Sequence, residues 1–468
     1  MEKSTKIDEI GIDTMRREEY KHLLNYTAIL ITLIVQTVLF ACMWYKSYVP
    51  VLLATGQGFF RRGNWAVIGI YILILFFMTN TLGGYKIAYL RISDMCLSQV
   101  LAILCANVVG YVQICIVGND YMSPTPMVVL TVAEILFVIP WIYLTRRIYT
   151  RIYPARKMIV IYGEYSPKAL IKKINSRKDK YDVCATASVK LGHEELYSQI
   201  LQYEAVVLCD LPAVIRNQIL KFCYDQGIRV YITPKISDII IRGSEQIHLF
   251  DTPLALARNK GLLVEQRMVK RTVDIVLALI AIVISAPFMI IFAIAIKLYD
   301  RGPVFYTQDR LTRGGKEFKI IKFRSMCVDA EKHGARLAAK GDSRITPVGK
   351  ILRATHLDEL PQIFNILKGD MTIVGPRPER PEIAAQYEED MPEFRLRLQA
   401  KAGLTGYAQI HGKYNTTPYD KLKLDLYYIE NWSLWMDLKL LLMTFKIMFQ
   451  KDNTEGVDAE QVTAIRKG

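Results

Sequence analysis

Two adjacent carboxylates, Asp358 and Glu359, lie between two arginines, Arg353 and Arg377, in the stretch from Arg353 to Glu379. These residue types suit phosphate chemistry. One carboxylate can attack phosphorus as a nucleophile, and a second can help hold a divalent cation that neutralises phosphate oxygens. Arginine meets a phosphate with a planar fork of donors. Arg377 belongs to a tight turn, Gly375-Pro376-Arg377-Pro378, whose prolines restrict the backbone and aim the side chain. Taken alone, an Asp-Glu pair also fits the start of an ordinary helix, where acidic groups favour the dipole. Leu360, Ile363, Phe364, Ile366 and Leu367 follow at the spacing of one helix face.

A second cationic stretch lies upstream, with Arg310, Arg313, Lys316, Lys319, Lys322 and Arg324. Alternating Phe318, Ile320 and Phe323 predict a strand with one face turned inward, and Gly314-Gly315 marks a hairpin turn. Such a ribbon serves either as a basic surface against lipid headgroups or as a wall for a diphosphate. At a membrane surface it can be both.

These groups need a membrane-bound scaffold. The chain has 468 residues, enough for about two or three domains. It carries a net charge of +15 and is 51% hydrophobic. Four apolar segments, residues 22–45, 64–82, 97–117 and 127–145, each approach the roughly 20 residues needed to cross hydrocarbon. Arg16, Arg17 and Lys21 precede the first, Lys86 and Arg91 follow the second, and Arg146, Arg147, Arg151, Arg156 and Lys157 follow the fourth. Four spans with both ends cytoplasmic fit this distribution, with Arg61 and Arg62 as the misfit. The spans read as free of charge in their middles, which favours anchoring over transport. The charged opening residues do not resemble a cleavable signal peptide. The eight cysteines form no CxxC pair and the six histidines have no zinc spacing.

After residue 156 the pattern becomes α/β. Strands are predicted at 157–163, 183–189, 205–209 and 228–232. Helices are predicted at 167–174, 194–203 and 213–225. The alternation implies a parallel, Rossmann-like sheet over residues 156–250. The first strand leads into Gly163-Glu164-Tyr165 rather than GxGxxG, so no dinucleotide cofactor is expected there. A long apolar run, Val273 to Ile296, then opens after Lys270-Arg271 and closes at Lys297. Pro287 in its middle can break a helix. With cations at both ends, the run reads as a re-entrant hairpin over residues 270–298 that dips into one leaflet; an ordinary kinked spanning helix is the alternative. The run from Trp432 to Phe449 fits an interfacial helix or a core helix.

On these residues the C-terminal half, 259–468, resembles the bacterial sugar transferase family, the monotopic phosphoglycosyl transferases. The matching pieces are KR..D at Lys270, Arg271 and Asp274, QDR at Gln308–Arg310, and KFRSM at Lys322–Met326. RIT..G at Arg344–Gly349 and LR...LDELPQ at Leu352–Gln362 follow. The last are N.LKGDM..VGPRPE at Asn365–Glu379 and GLTGYAQI.G at Gly403–Gly412. With the four-span domain (1–150), the α/β domain and an α+β catalytic domain, the chain is similar to the undecaprenyl-phosphate hexose-1-phosphate transferases. The resemblance implies that a UDP-sugar donates its sugar-1-phosphate to undecaprenyl phosphate and releases UMP. This is a priming step of exopolysaccharide, capsule or O-antigen synthesis at the bacterial inner membrane, with the catalytic domain on the cytoplasmic face. It implies a magnesium requirement and a covalent intermediate on Asp358, with Glu359 sharing metal or proton handling. Arg353 and Arg377 match phosphate-binding positions, Lys322, Arg324 and Arg310 fall near the diphosphate, and Lys401–Gln409 matches a loop near the nucleotide. The sequence departs from the pattern at Ala286, where Ser precedes the break at Pro287, at Thr312 for Gly, and at Ala402 for Pro.

No nucleic-acid partner is expected. A homodimer through the spans and the α/β domain is compatible with the sequence. The alternatives are a membrane-anchored nucleotide-sensing regulator without transferase activity, disfavoured by the missing glycine fingerprint, and a transporter, disfavoured by the uncharged spans.

Overall fold

The computed structural model describes residues 2–59, 61–258, 261–327, 342, 344–412 and 416–448, with side chains from Tyr20 onward except Arg61. Residues 259 and 449–468, the two ends of the expected catalytic domain, lie outside these. The chain folds into two compact units, Met1–Thr233 and Pro234–Gly468.

The first unit opens with α1 (Glu2–Met43), which runs through a π-helical turn, Trp44–Tyr48, into α2 (Val49–Ala54). Next come α3 (Arg61–Leu82), α4 (Ile92–Gly118) and α5 (Thr125–Ile152). Four helical stretches here, beginning at Tyr20, Arg62, Ile92 and Thr125, are long and apolar enough to cross a membrane, in line with the four expected segments. Phe40, Trp44 and Tyr71 form the fully buried centre of the bundle. One expectation fails there. Glu134 lies inside α5 and is fully buried, so the spans are not free of charge. Its partners explain how the bundle tolerates it. The Tyr71 hydroxyl lies 2.8 Å from Glu134 Oε1 and 2.6 Å from Asn107 Oδ1, and Asn107 Nδ2 donates to Glu134 Oε2 at 2.9 Å and to Thr131 Oγ1 at 2.8 Å. A carboxylate with each oxygen bonded avoids much of the penalty of burial.

An all-parallel sheet follows in the same unit: β1 (Arg156–Tyr162), α6 (Lys168–Asn175), β2 (Tyr181–Ser188), α7 (His193–Ile200), β3 (Ala205–Cys209), α8 (Ala213–Asp225) and β4 (Arg229–Ile232). The strand order is β2-β1-β3-β4. The predicted strands and helices each match an element to within a few residues. Residues 158–161 of β1 are all buried, as a central parallel strand requires. Arg146 at the end of α5 pairs with Asp179, and Arg177 donates to Tyr89 O at 2.6 Å, which ties the sheet to the bundle.

The expected boundary at 250 is shifted. The first unit ends at Thr233, and α9 (Ile236–Gly243) packs in the second unit, where Ile239 joins Leu422 and Leu426 in one core. A small antiparallel hairpin, β5 (Glu245–Leu249) and β6 (Thr252–Leu256), comes next. The long α10 (Val264–Asp300) is the fifth helix long and apolar enough to cross a membrane. Pro287, where a hairpin break was expected, lies inside the helical run Val264–Asp300. A proline removes one backbone bond and crowds the preceding turn, but the apolar helical pattern continues on both sides of it.

The rest of this unit follows α10 in the chain. It comprises β7 (Phe305–Leu311), β8 (Glu317–Phe323), α11 (Pro347–Ala354), a 3-10 turn at Leu357–Glu359, α12 (Gln362–Lys368), β9 (Thr372–Val374) and α13 (Pro381–Asp390). Then come β10 (Gly403–Thr405), α14 (Tyr407–His411), α15 (Pro418–Glu430) and α16 (Leu434–Met448). β7 and β8 form the predicted antiparallel hairpin, with Gly314 and Gly315 in left-handed conformations at its turn (φ 73° and 75°). In α16, Leu440 is buried against the core while Trp435 and Phe445 remain exposed, so one face packs and the other is open.

Candidate active site

Three elements carry the acidic pair and its cations. The α11 helix is capped by Thr346, whose hydroxyl accepts from Gly349 N at 2.9 Å, and it delivers Arg353 in its last turn. His356 then adopts a left-handed conformation (φ 58°), reversing the chain into the 3-10 turn that carries Asp358 and Glu359. Leu357 and Leu360 pack into the core on either side of the pair. The pair therefore sits on a short turn fixed by its apolar neighbours. The apolar run behind it forms the predicted α12 face, with Phe364 as the exposed exception.

On β8, Lys322 Nζ donates to Glu359 Oε1 at 2.6 Å. The same oxygen accepts from Arg377 Nη2 at 3.3 Å. The Glu359 and Lys322 side chains are about one-fifth exposed and Arg377 half exposed, at 18%, 20% and 50%. Burial pushes the Glu359 carboxyl up, but Lys322 and Arg377 outweigh it and bring its pKa down to about 2. Asp358 moves the other way. Its carboxyl is pushed up by burial and by Glu359, against the pull of Lys322 and Arg353. The two neighbours are thus driven apart in acidity. Among the described residues, Asp358 has no ion pair or hydrogen bond from a side chain, whereas Glu359 has two cations.

The turn bearing Arg377 is held from four sides. Gly375 N donates to Thr405 O at 2.8 Å and Gly403 N to Pro376 O at 2.9 Å. Arg310 Nη1 donates to Pro378 O at 2.9 Å, and Arg397 Nη2 to Arg377 O at 2.8 Å. A Cβ on Gly403 would meet the Gly375 backbone at 2.1 Å, so only glycine permits this approach.

Lys322, Asp358, Glu359 and Arg377 come together, with Arg353 close enough to act on Asp358 by charge while its Nε donates to Ser325 Oγ at 2.9 Å. Two residues expected near a diphosphate have other partners. Arg324 pairs with Asp300 at the end of α10. Arg310 bonds to the Pro378 carbonyl and to Gln308 Oε1, and burial lowers its pKa to about 10. Both hold the frame rather than face the acidic pair. Arg397 escaped the sequence reading. It is buried, paired with Asp425 at 2.8 Å and Glu379 at 3.4 Å, and braces the arginine turn from behind. Nothing in its local sequence marks it, because both carboxylates lie well away from it along the chain.

The KR..D motif positions α10 against this site. Lys270 Nζ pairs with Asp437 at 2.5 Å. Arg271 donates to Ile366 O and Leu367 O at the end of α12, at 2.5 and 2.6 Å. Asp274 accepts from Thr372 Oγ1 at 2.6 Å and Ile373 N at 3.0 Å.

The bacterial sugar transferase family model matches residues 265–451. A UDP-N-acetylgalactosamine-undecaprenyl-phosphate N-acetylgalactosaminephosphotransferase of Aeromonas hydrophila is 38% identical over 233 residues, 49% of this chain and 54% of that protein. The Escherichia coli UDP-glucose:undecaprenyl-phosphate glucose-1-phosphate transferase is 39% identical over 52% of this chain and 53% of its own length. A Caulobacter vibrioides protein with that same activity in its name is 41% identical over 39% of this chain and 71% of its own length. The chain belongs to the bacterial sugar transferase family. It spans about half the length of the Aeromonas and Escherichia relatives.

Two departures from the family pattern compensate for each other in this sugar transferase. Thr312 Oγ1 donates to Asp370 O at 2.9 Å and accepts from Ala402 N at 3.2 Å. A proline at 402 would have no N–H to give, so the threonine and the alanine together replace one constraint with another.

Proposed function

We propose that this chain transfers sugar-1-phosphate from a UDP-hexose to undecaprenyl phosphate and releases UMP, with Asp358 as the intermediate acceptor. The observation that carries the reading is the contrast at the acidic pair. Glu359 is pinned between Lys322 and Arg377, while Asp358 stands beside cations and, among the described residues, has no partner of its own. An ionised Asp358 oxygen attacks the sugar-bearing phosphorus, and the phosphorus–oxygen bond to UMP breaks. UMP leaves with the electron pair. A phosphate oxygen of the lipid carrier then attacks the same phosphorus and frees the Asp358 carboxylate. Two anionic substrates never have to meet directly. Lys322, Arg353 and Arg377 supply positive charge where the phosphoryl oxygens gather.

Asp358 and Glu359 would also hold a magnesium ion. Two carboxylates fit that ion when substrate phosphates complete its shell, its usual mode of binding in phosphoryl-transfer sites. Bound there, it would neutralise phosphate charge.

The packing of α10 supports a reading of the membrane topology. Ala278 shares a core with Ile320, and Ile296 shares one with Phe323. Three strand residues cover about 10 Å, whereas the two helix positions lie about 27 Å apart along a straight axis. A bend at Pro287 that returns the helix to the same face reconciles these lengths. The catalytic unit then remains on the cytoplasmic side of the inner membrane, where nucleotide sugars are. The test is UMP release by the full chain in detergent, with undecaprenyl phosphate, magnesium and a panel of UDP-hexoses. One hexose should give turnover that depends on the lipid. No UMP from any donor would remove the proposal.

A further inference from the structure

Away from the acidic pair, the C-terminal unit contains a cavity of 560 Å3 between the start of α10, β9, Lys401 and the hairpin turn at Arg313. Lys322, Asp358, Glu359 and Arg377 do not line it. Five cations do: Arg267, Lys270, Arg271, Arg313 and Lys401, against the single carboxylate of Asp274. That carboxylate already accepts from Thr372 and Ile373, and Lys270 is paired with Asp437. Among the described residues, none of the other four cations has a carboxylate partner. Arg271 and Lys401 donate only to backbone carbonyls, of Ile366, Leu367 and Gly369. The Lys401 ammonium is pushed down by burial and then by the crowding of Arg271 and Arg313. Positive charge is therefore in excess, and an anion would relieve it.

The remaining wall is apolar. Val264, Met268 and Tyr428 contribute to it, and Val264 and Met268 are 60% and 67% exposed at the foot of α10. The apolar run of α10 begins at Val273, immediately beyond them. A cationic pocket with a greasy side, at the point where a helix becomes apolar enough for lipid, matches an amphiphile with an anionic head. We propose that this cavity binds the headgroup of an anionic phospholipid, with the phosphate among Arg267, Arg271, Arg313 and Lys401 and the start of the acyl chains along Met268. The proposal does not rest on the transfer chemistry; Lys401 opens the segment that resembles a loop near the nucleotide, and displacement by UDP tells the two assignments apart.

Native mass spectrometry of the full chain in non-ionic detergent tests this with three probes: dioleoyl phosphatidylglycerol, dioleoyl phosphatidylcholine and inorganic phosphate. Phosphatidylglycerol should be retained in preference to the other two. The paired substitution Arg267→Gln with Arg313→Gln should weaken its retention roughly tenfold or more, and Arg267→Lys with Arg313→Lys should largely keep it. Equal retention of phosphatidylcholine overturns the proposal, as does unchanged retention in the double glutamine variant. Equal binding of inorganic phosphate shows that the tail is not recognised, which also overturns it. If UDP displaces the lipid, the cavity belongs to the donor site and the assignment fails. Should the glutamine variant not fold, a several-fold rise in salt applied to the unaltered protein serves instead. Phosphatidylglycerol retention that does not fall with salt sinks the idea.

Discussion

The two units each hold a carboxylate in a polar cluster, fully buried at Glu134 and partly buried at Asp358 and Glu359, and the clusters have opposite characters. Around Glu134 the partners are neutral: a tyrosine, an asparagine and, through it, a threonine. Both carboxylate oxygens are bonded, and α3, α4 and α5 are clasped together. Around Asp358 and Glu359 the partners are cations, and among the described residues one of the two carboxylates has no direct partner. Burial of an acid is therefore not what distinguishes a reactive site. A neutral, closed network offers nothing to an incoming phosphate. A network with surplus positive charge and one uncommitted carboxylate can both bind the phosphate and attack it.

The largest way to break this comparison is Asp358→Asn. It should lower turnover by about 10⁴-fold or more and abolish trapping of radiolabelled sugar-phosphate on the protein. Label still found on the asparagine variant would move the nucleophile elsewhere. A smaller effect is expected from Lys322→Ala, roughly 10²–10³-fold in kcat/KM. The pH profile sharpens it. Asp358 must be ionised to attack, and its carboxyl is raised by burial and by Glu359, so activity should fall with a single-proton limb as pH drops through that raised value. Glu359 stays ionised, with its pKa near 2. Lys322 lowers the Asp358 pKa, so its removal should shift the acid limb to higher pH. An unshifted limb would assign the titration to another group.

Much of this architecture was readable in advance, and the reason is periodicity. Four spans, four strands and the hairpin each repeat a simple pattern over many residues. What could not be read are the pairings between distant segments. Glu134 is one acid in a 28-residue apolar helix, and its partners Tyr71 and Asn107 come from two other helices. Arg324 sits among cations that suggest a diphosphate wall, yet its partner Asp300 lies at the far end of α10. Arg310 likewise braces a turn. The residue types of a phosphate site were legible, while the division between side chains that hold the frame and those that face the substrate depended on contacts across the fold. At Pro287 the local rule marks the position, while the packing of Ala278 and Ile296 against one hairpin sets the course of the helix.

A cut in the other cluster should leave the chemistry alone. Glu134→Ala removes one acceptor from Tyr71 and one from Asn107, which keep each other and Thr131 as partners. A loss of about 1–3 kcal/mol of stability is expected, seen as a lower melting temperature in detergent, with kcat per folded molecule unchanged. Glu134→Gln should lose less, since the amide oxygen still accepts from the tyrosine. A variant with normal stability and lost turnover would erase the distinction between the two clusters.

The smallest expected effect is also the most discriminating. A carboxyl whose folded pKa lies above its unfolded value favours the folded state below the unfolded pKa and loses that advantage as pH rises through the folded one. At neutral pH Asp358 is on the unfavourable side of that balance, because its charge is held in a buried place beside Glu359. Replacing it with neutral asparagine removes the cost without changing the size of the side chain. Asp358→Asn should therefore be as stable as the unaltered protein or more so, by about 1 kcal/mol, and the gain should shrink as the pH is lowered towards the value at which Asp358 protonates. Lys322→Ala should do the opposite at neutral pH, leaving Glu359 with one cation instead of two. Thermal unfolding of both variants across pH measures the two signs together. If asparagine destabilises at neutral pH, Asp358 is a bonded structural acid like Glu134, and the contrast between the two units disappears.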